Sequence, residues 1–513
     1  MSWGEGYVTE IEYATGYFAK LAPRFTQTVL TLQGVETRGL EAPTYLELGF
    51  GQGLSLNLHA AANRGEWWGT DFNPCHVLGA ATLAQAAGGD LHLLDESFEQ
   101  FAQREDLPQF DMIGLHGIWS WISERNIDNI VAILARRLKP GGTVYLSYNN
   151  LTGWAALAPL RELLARRRIL LGAAANPVAD IKDGLRFAQT LVAAQAHYFE
   201  AVPIAKTWLE QLTNQDPNYL VHEYFNANWK LMSFPEILER LGDAKLGFAG
   251  TADPLKAIEE VALSDEARNL MAGLANNPTL REMVLDYFTL THLRSDYFQR
   301  GVRGIPACDL SERLGALRFI PCADPSATPM KVKTQRGEVP LNEALYAPLI
   351  ELLVKNGCSP ITFAEIAAAL AGHANEIQLR KMLLTLIGTD RLAPAHPADI
   401  TTAVTERTRR LNSHLLERGG KWSGGSHLAS PVTGGGVGVT VLDQAFLNAR
   451  QQGLTTPREW ADEVLTRLEA AGRRIVHQGE ELTDRDRTLG YLIAEANSLA
   501  AERLPILAGL GIT

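Results

Sequence analysis

Cysteine is scarce in this chain of 513 residues, which has four cysteines and no CxxC pair. The two nearest, Cys308 and Cys322, are 14 positions apart, whereas disulfide-stabilised domains carry cysteine far more densely. No run of about 18 apolar residues is present, so we expect no membrane insertion. The first residues lack the basic head and apolar segment of a secretory signal. These absences favour a reducing, cytoplasmic location.

Basic residues are also few, because 47 Lys and Arg stand against 58 Asp and Glu, a formal net charge of −11. Proteins that bind nucleic acid usually present a basic surface, so we expect no nucleic-acid partner. Hydrophobic residues make up 46% of the chain and charged residues 20%, which is typical of a folded globular protein. At roughly 150 residues per domain, the length predicts two to four domains.

The first third of the chain alternates short apolar runs with amphipathic helices, a pattern typical of a parallel sheet covered by helices. The five strand candidates are Thr44–Leu48, Glu66–Gly69, Leu91–Leu94, Phe110–Gly114 and Gly142–Tyr148. After a helical stretch at about 155–225, two further strand-like pieces occur, Lys245–Gly250 and Thr289–Phe298. The sequence therefore predicts an α/β domain over residues 1–303, with a Rossmann-like sheet of seven strands and a helical insertion.

Residues 304–415 and 416–513 are predicted to form mainly α-helical accessory domains. Three helix candidates lie within 342–395, and three short helices followed by a loop are typical of a winged-helix module. The charges between Leu341 and Ile400 sum to −2, which argues against DNA and favours a regulatory, protein-contacting role. The glycine-rich segment Gly419–Gly438 lacks the Lys-Ser/Thr ending of a phosphate loop, so we expect turns or a mobile loop.

One motif carries chemistry: Glu47-Leu48-Gly49-Phe50-Gly51-Gln52-Gly53 follows an apolar strand and precedes a helix. Its glycines permit a tight turn and a close approach of a ligand to the backbone. Asp71 ends the next strand, where a carboxylate can accept hydrogen bonds from both hydroxyls of a ribose. A dinucleotide would need a third glycine at GxGxxG spacing, and Glu47 would repel its pyrophosphate. The motif therefore favours S-adenosylmethionine (SAM), a cation without phosphate.

At these positions the sequence resembles the class I SAM-dependent methyltransferases. Asp95-Glu96-Ser97-Phe98 is similar to their adenine-binding acidic motif, and Phe110-Asp111 and Leu138–Gly142 are similar to the entries to their fourth and fifth strands. Over most of the chain it also resembles one subgroup, the bacterial protein-lysine methyltransferases with a methyltransferase regulatory domain. The segments that carry this second resemblance are Gly114–Trp121, Ser147–Asn150, Tyr219–Trp229, Arg294–Phe298 and His427–Val432. The chain departs from the family at Asn150-Leu151-Thr152-Gly153, where a Thr-Leu-Pro-Gly run is expected.

The resemblance implies SAM as the cofactor and lysine side chains of a protein as the acceptor. The candidate cofactor-binding residues are Glu47, Gly49, Gly51, Gly53, Asp71, Asp95, Glu96, Ser97, Phe98 and His116. Acceptor groups are expected at the carboxyl ends of the strands, where open α/β sheets bind ligands. The candidate catalytic residues are Tyr148, Asn149, His222 and Glu223, and the candidate substrate-binding residues are Trp119, Trp121 and Tyr224.

Two other patterns lie close to these candidates. His222-Glu223-Tyr224-Phe225-Asn226 resembles the start of a zinc-binding HExxH motif but ends in Asn, so we expect no metal. Four aromatic residues precede the first strand and can form either a lid over the cofactor or part of the core: Tyr7, Tyr13, Tyr17 and Phe18.

The sequence leaves alternatives to protein-lysine methylation open. The first is methylation of a small molecule or a glycan precursor on oxygen or nitrogen. The second is a SAM-binding interaction protein that catalyses nothing. A homodimer is one option for the oligomeric state.

Overall fold

The computed structural model describes residues 6–7, 16–172, 176–419, 427–477 and 479–513. Tyr13 of the expected lid and residues 420–426 of the glycine-rich segment lie outside these ranges. Within them, no helix is both long and apolar enough to cross a membrane.

The central sheet has seven strands in the order β3-β2-β1-β4-β5-β7-β6. Their bounds are β1 Thr44–Leu48, β2 Glu66–Asp71, β3 Leu91–Asp95, β4 Phe110–Leu115, β5 Leu138–Asn149, β6 Leu246–Thr251 and β7 Leu293–Arg300. The first five run parallel, and β7 pairs antiparallel with both β5 and β6. This confirms the predicted Rossmann-like sheet of seven strands.

The helices that alternate with the parallel strands begin directly after turns. Their bounds are α1 Pro23–Leu32, α2 Leu54–Ala62, α3 Pro74–Ala87, α4 Phe98–Gln103 and α5 Glu124–Arg137. The start of α2 follows the glycine turn, and α3 begins at a proline after Asn73, whose side chain accepts from the Cys75 backbone N–H. The carboxyl ends of β1 to β5 therefore share one edge of the sheet with the starts of these helices.

Between β5 and β6 the chain is helical, as predicted. The helices are α6 Leu151–Trp154, α7 Ala158–Leu170, α8 Pro177–Ala193, α9 His197–Ala201, α10 Pro203–Leu212, α11 Pro217–Phe225 and α12 Phe234–Gly242. Three more precede β7: α13 Glu259–Ala262, α14 Asp265–Ala272 and α15 Pro278–Thr289. The last strand is predicted to begin at Thr289, but α15 ends at that residue and is capped by Leu290, whose φ is +42°. It therefore begins at Leu293.

Two apolar layers cover the two faces of the sheet, since successive strand residues point to opposite sides. Tyr45, Tyr145 and Tyr297 lie in the layer on one face. Val144 and Phe298 lie in the layer on the other. Every residue of β5 from Gly142 to Asn149 is buried, so this part of the strand is enclosed on both sides.

The accessory region is mainly helical. Its helices are α16 Ala307–Gly315, α17 Glu343–Asn356, α18 Phe363–Ala369, α19 Glu376–Gly388, α20 Ala398–Gly419, α21 Val441–Gln451, α22 Pro457–Ala470, α23 Arg485–Ser498 and α24 Leu504–Gly509. Its short strands are β8 Arg318–Pro321, β9 Lys331–Thr334, β10 Gly337–Pro340, β11 Ile361–Thr362, β12 Leu392–Pro394, β13 His427–Ser430, β14 Gly435–Gly438, β15 Val476–His477 and β16 Glu480–Glu481. The three helices predicted within 342–395 are α17, α18 and α19.

Part of the glycine-rich segment is a pair of strands joined by a turn. Residues 427–438 form an antiparallel hairpin of β13 and β14. This hairpin and α20 pack on the outside of α2 and α3, where Leu411 and Ala429 share an apolar cluster with Leu54, Leu58 and Leu83. The accessory region is thus attached to the helix that begins at the glycine turn.

Candidate functional site

The glycine turn after β1 is closed on two sides and open on the third. Gly49, Gly51 and Gly53 have left-handed φ angles of +70°, +57° and +72°, which favour glycine. A Cβ on Gly53 would lie 2.5 Å from the Ala80 Cβ, and a Cβ on Gly49 would lie 2.5 Å from the Ile118 Cδ1. A Cβ on Gly51 would meet no atom within 4 Å. The turn therefore offers its backbone to a ligand at Gly51.

Asp71, at the end of β2, holds this turn in place. The backbone N–H of Gly51 donates to Asp71 Oδ2 at 2.8 Å, and the N–H of Asn73 donates to Oδ1 at 2.9 Å. The Nδ1 atom of His76 lies 3.1 Å from the same Oδ1. The sequence predicts a ribose contact for Asp71 and does not predict that its carboxylate holds the turn. No sequence signal marks it, because Gly51 and Asp71 are 20 positions apart.

Glu47 lies below the turn and is buried. Burial raises the pKa of its carboxyl group to about 8, because the charged form is poorly solvated there. The Tyr45 hydroxyl donates a hydrogen bond to Glu47 Oε2 at 3.4 Å. Glu47 is therefore mostly uncharged near neutral pH, and a bound cation would favour its ionised form.

The four candidates at the end of β3, Asp95 to Phe98, have two kinds of surroundings. Asp95 is exposed and lies opposite Asp71 in the register of β2 and β3, and the Phe98 ring lies beside Gly49. Ser97 instead caps α4, since it accepts from the Gln100 N–H and donates its own N–H to that side chain. Glu96 accepts from Arg104 at 2.8 Å. Of the four, Asp95 lies beside Asp71 where the two strands end, and Phe98 lies beside the glycine turn and packs partly against an apolar layer of the sheet. The carboxyl ends of β1 to β5, where these residues lie, are called the cofactor edge below.

His116 follows β4 at the same edge. Its Nδ1 atom lies 2.9 Å from the Tyr145 hydroxyl, and its ring stacks on Phe18 with 3.6 Å between ring centroids. Burial lowers the pKa of His116 to about 3, so the imidazole is neutral at physiological pH. The next N–H, that of Gly117, donates to Ser147 Oγ at 2.8 Å and ties the end of β4 to β5.

Tyr148 and Asn149 point to opposite faces of the sheet, so the structure separates these two candidates. The Tyr148 hydroxyl donates to Asp296 Oδ2 at 3.2 Å, and Arg294 binds the same carboxylate. The side chain of Tyr148 thus belongs to a buried ion cluster and not to the His116 side. Asn149 lies on the face of Ser147, and its buried Nδ2 has no hydrogen-bond partner among the residues that the structure describes.

Two of the three candidate substrate-binding residues are packed inside the protein. The Trp119 ring is fully buried beneath the sheet, and its Nε1–H points to Met232 Sδ at 3.2 Å. The Tyr224 hydroxyl accepts from Trp208 Nε1 at 3.0 Å within the helical insertion. Both side chains have packing roles in the structure, and their part in an acceptor wall stays a prediction. Trp121 is half-buried at the end of the 3-10 turn Trp119–Trp121.

Helix α11 brings His222 and Glu223 towards the end of β2. The Tyr7 ring lies 5.6 Å from the His222 ring and 5.9 Å from the Phe72 ring, measured between centroids. Burial raises the pKa of Tyr7, and the negative charges of Asp71 and Glu223 raise it further. Tyr7 therefore connects the helical insertion with the cofactor edge. Over the described ranges, no group of three or more His, Cys, Asp or Glu is placed to hold a metal ion.

Two family models match the chain. One described as a methyltransferase domain matches residues 46–142, which include the glycine turn, Asp71 and His116. One described as a predicted methyltransferase regulatory domain matches residues 216–300. The second match runs from the end of the helical insertion through β7 and stops before the accessory region predicted over 304–415.

A relative matches from end to end. The uncharacterised protein sll1526 of Synechocystis sp. is 35% identical over 520 residues, which cover 100% of both chains. The uncharacterised protein RP789 of Rickettsia prowazekii is 24% identical over 289 residues, 53% of this chain and 51% of its own. The structure of PKMT2 from Rickettsia typhi in complex with AdoHcy matches with a TM-score of 0.68 at 17% identity, over 97% of this chain and 99% of PKMT2. At this identity the structural likeness shows a shared fold.

Proposed function

Because this chain belongs to the class I SAM-dependent methyltransferases, we propose that it transfers methyl groups to lysine side chains of a protein acceptor. The single observation that carries the proposal is the glycine turn, which is fixed by Asp71 and open at Gly51. The choice of lysine is supported by the resemblance to the bacterial protein-lysine methyltransferases and by the fold shared with PKMT2.

The residues around the turn fit SAM. Backbone at Gly51, the carboxylates of Asp71 and Asp95, and the Phe98 ring offer a close approach, acceptors for hydroxyl groups and an apolar contact for a purine. When bound, SAM supplies a methyl group activated by its positive sulfur. We propose that Glu47 becomes ionised when this cation arrives, because its carboxyl is otherwise held neutral by burial.

On the acceptor side, we propose Asn149 and Glu223 as the groups that receive a lysine. A lysine ammonium must lose a proton, to a nearby carboxylate or to water, before its nitrogen can attack a methyl group. Glu223 supplies negative charge that attracts the ammonium, and the Asn149 amide, on the His116 face of β5, orients the neutral amine. His116 has too low a pKa to hold the removed proton at neutral pH, so we assign it to the wall of the site.

The test uses SAM labelled on its methyl group, the purified full chain and fractionated cell extract. We expect acid-stable label in the protein fraction. Label only in the small-molecule fraction would replace the protein acceptor by a small one, and SAM binding without any transfer would contradict catalysis. Asn149→Ala serves as the matched control, since it keeps the cofactor edge and removes the proposed acceptor contact.

A further inference from the structure

Residues 16–18 are fastened to the start of α2. The Phe18 backbone N–H donates to Ser55 Oγ at 2.9 Å, and that hydroxyl donates to the Gly16 carbonyl at 3.4 Å. Ser55 is the second residue of α2 and lies two positions beyond Gly53. The backbone of Tyr17 and Phe18 therefore has its anchor at the glycine turn.

The side chains of these two residues point in opposite directions. Phe18 stacks on His116 at the cofactor edge, with 3.6 Å between ring centroids. Tyr17 packs against the C-terminal hairpin instead, with its ring 4.8 Å from the His427 ring and its hydroxyl 3.3 Å from His59 Nε2. Burial lowers the pKa of His59 to about 3, so this contact is between neutral groups.

The glycines of β14 make room for Tyr17. A Cβ on Gly435 would lie 2.4 Å from the Tyr17 hydroxyl oxygen, and a Cβ on Gly436 would lie 3.0 Å from atoms of its ring. Neither glycine has a positive φ, so the backbone alone would accept alanine at both positions. The need for glycine at position 435 therefore comes from the contact with Tyr17, and at position 436 from Tyr17 together with Leu58, whose Cδ1 would also lie 3.0 Å from a Cβ.

We infer that the hairpin of β13 and β14 positions Tyr17 and Phe18, and through them His116 and the glycine turn, so that the C-terminal region controls the affinity for SAM. The inference rests on the cofactor site proposed above. Tyr17 and Phe18 are positioning residues in this scheme. A contact that shifts the hairpin changes SAM affinity, and by linkage bound SAM changes the affinity of the C-terminal region for whatever makes that contact.

The test is Gly435→Ala in the full chain, more than 370 positions from the glycine turn. Its methyl group displaces the Tyr17 hydroxyl, and we expect the dissociation constant and the KM for SAM to rise by about five- to tenfold. The kcat at saturating SAM should change by less than about twofold, because the acceptor groups are untouched. Thermal unfolding of each variant is measured first, to confirm that it is folded.

A second substitution separates positioning from general damage. Tyr17→Phe removes the hydroxyl that would collide with the methyl group of Ala at position 435, and it leaves the ring carbon Cζ 3.6 Å from that methyl group. The double variant Gly435→Ala with Tyr17→Phe should therefore recover wild-type SAM affinity. Gly490→Ala is the control, since a Cβ there meets no atom within 4 Å, and it should leave SAM affinity unchanged. If Gly435→Ala unfolds the chain, Tyr17→Ala takes its place, because it removes the ring that contacts the hairpin and should raise the KM for SAM in the same way.

Three results would overturn the inference. A folded Gly435→Ala variant with wild-type KM for SAM would remove the coupling while the proposed function stands. Failure of Tyr17→Phe to restore affinity would show that the hairpin acts by another route. No SAM binding by the wild-type chain would refute the proposed cofactor site itself, and the coupling with it.

Discussion

The proposed cofactor half and the proposed acceptor half of the site, both at the carboxyl ends of the strands, are constructed differently. At the ends of β1 and β2, backbone N–H groups and left-handed glycines shape the site, and Asp71 binds two of those N–H groups directly. At the end of β5, single side chains matter, and Tyr148 and Asn149 are one position apart yet serve different faces. The spacing of glycines in the sequence predicts a site that is built from backbone groups. A site made of side chains depends on which face each residue meets.

The strongest test of the proposed cofactor half compares the Gly53→Ala variant with the Gly51→Ala variant. Both positions have positive φ, so each substitution costs about 1–2 kcal/mol of backbone strain. Only at Gly53 does the new Cβ also collide with Ala80, which adds about 1–3 kcal/mol of overpacking. We expect Gly53→Ala to lower the free energy of unfolding by the larger amount and Gly51→Ala to lose SAM binding while it remains folded. Denaturant unfolding and calorimetric titration check both. Equal stability of the two variants would contradict the described turn.

Removal of the Asp71 carboxylate tests whether one residue holds both the turn and the ribose. Asp71→Ala should weaken SAM binding by on the order of 2–4 kcal/mol, because charge-assisted hydrogen bonds are lost. Asp71→Asn should lose less, since its amide oxygen can still accept from the Gly51 N–H. Calorimetry that finds unchanged SAM affinity in both variants would remove Asp71 from the site.

Substitutions of Asn149 and Tyr148, which are adjacent on β5, test the proposed acceptor half. Asn149→Ala should lower kcat by about 10- to 100-fold and leave SAM affinity unchanged, as expected for a group that acts on the acceptor. Tyr148→Phe should instead keep kcat and lose about 1 kcal/mol of stability, because it gives up one hydrogen bond to Asp296. Steady-state kinetics and thermal unfolding give both numbers. Reversed effects would mean that the strand presents the other face to the acceptor.

The smallest expected effect is a pH dependence from Glu47. Its pKa of about 8 in the ligand-free chain means that binding a cation below this pH releases a proton. SAM affinity should therefore rise with pH up to about 8 and level off above it, by at most about tenfold per pH unit. Glu47→Gln should flatten the profile. An equally steep profile in that variant would assign the titration to another group.

The sequence predicted the sheet well because apolar runs, glycines and helix starts are local signals. It predicted that α2 begins directly after the glycine turn, that β2 ends near Asp71 and that a helical insertion follows β5, and the structure confirms these three features of the fold. It did not indicate the face of Tyr148, because β5 is buried on both sides and shows no alternation of polar and apolar residues. It left open whether Trp119 lies in the core or in the wall of the site, since an aromatic residue beside a site and one in the core look alike in sequence.

The other features that the sequence did not predict depend on contacts between residues far apart in the chain. The sequence predicts turns or a mobile loop for Gly434-Gly435-Gly436. Gly434 does lie in the turn of the hairpin, with a φ of +69°, whereas Gly435 and Gly436 lie in β14 and pack against Tyr17. Helix α20 likewise continues across the boundary predicted between residues 415 and 416. We propose residue 303 as the end of the catalytic part, although the apolar contacts of Leu411 and Ala429 with α2 mean that a chain cut there exposes a shared core.

The most direct measurement of the central claim is tandem mass spectrometry of cell-extract proteins incubated with SAM that carries a deuterated methyl group. Wild-type chain and Asn149→Ala are compared in parallel. The account predicts heavy methyl groups on lysine side chains of a protein with the wild-type chain, and at least about tenfold fewer with the variant. Heavy methyl groups confined to small molecules or to other side chains, with SAM still bound, would contradict it.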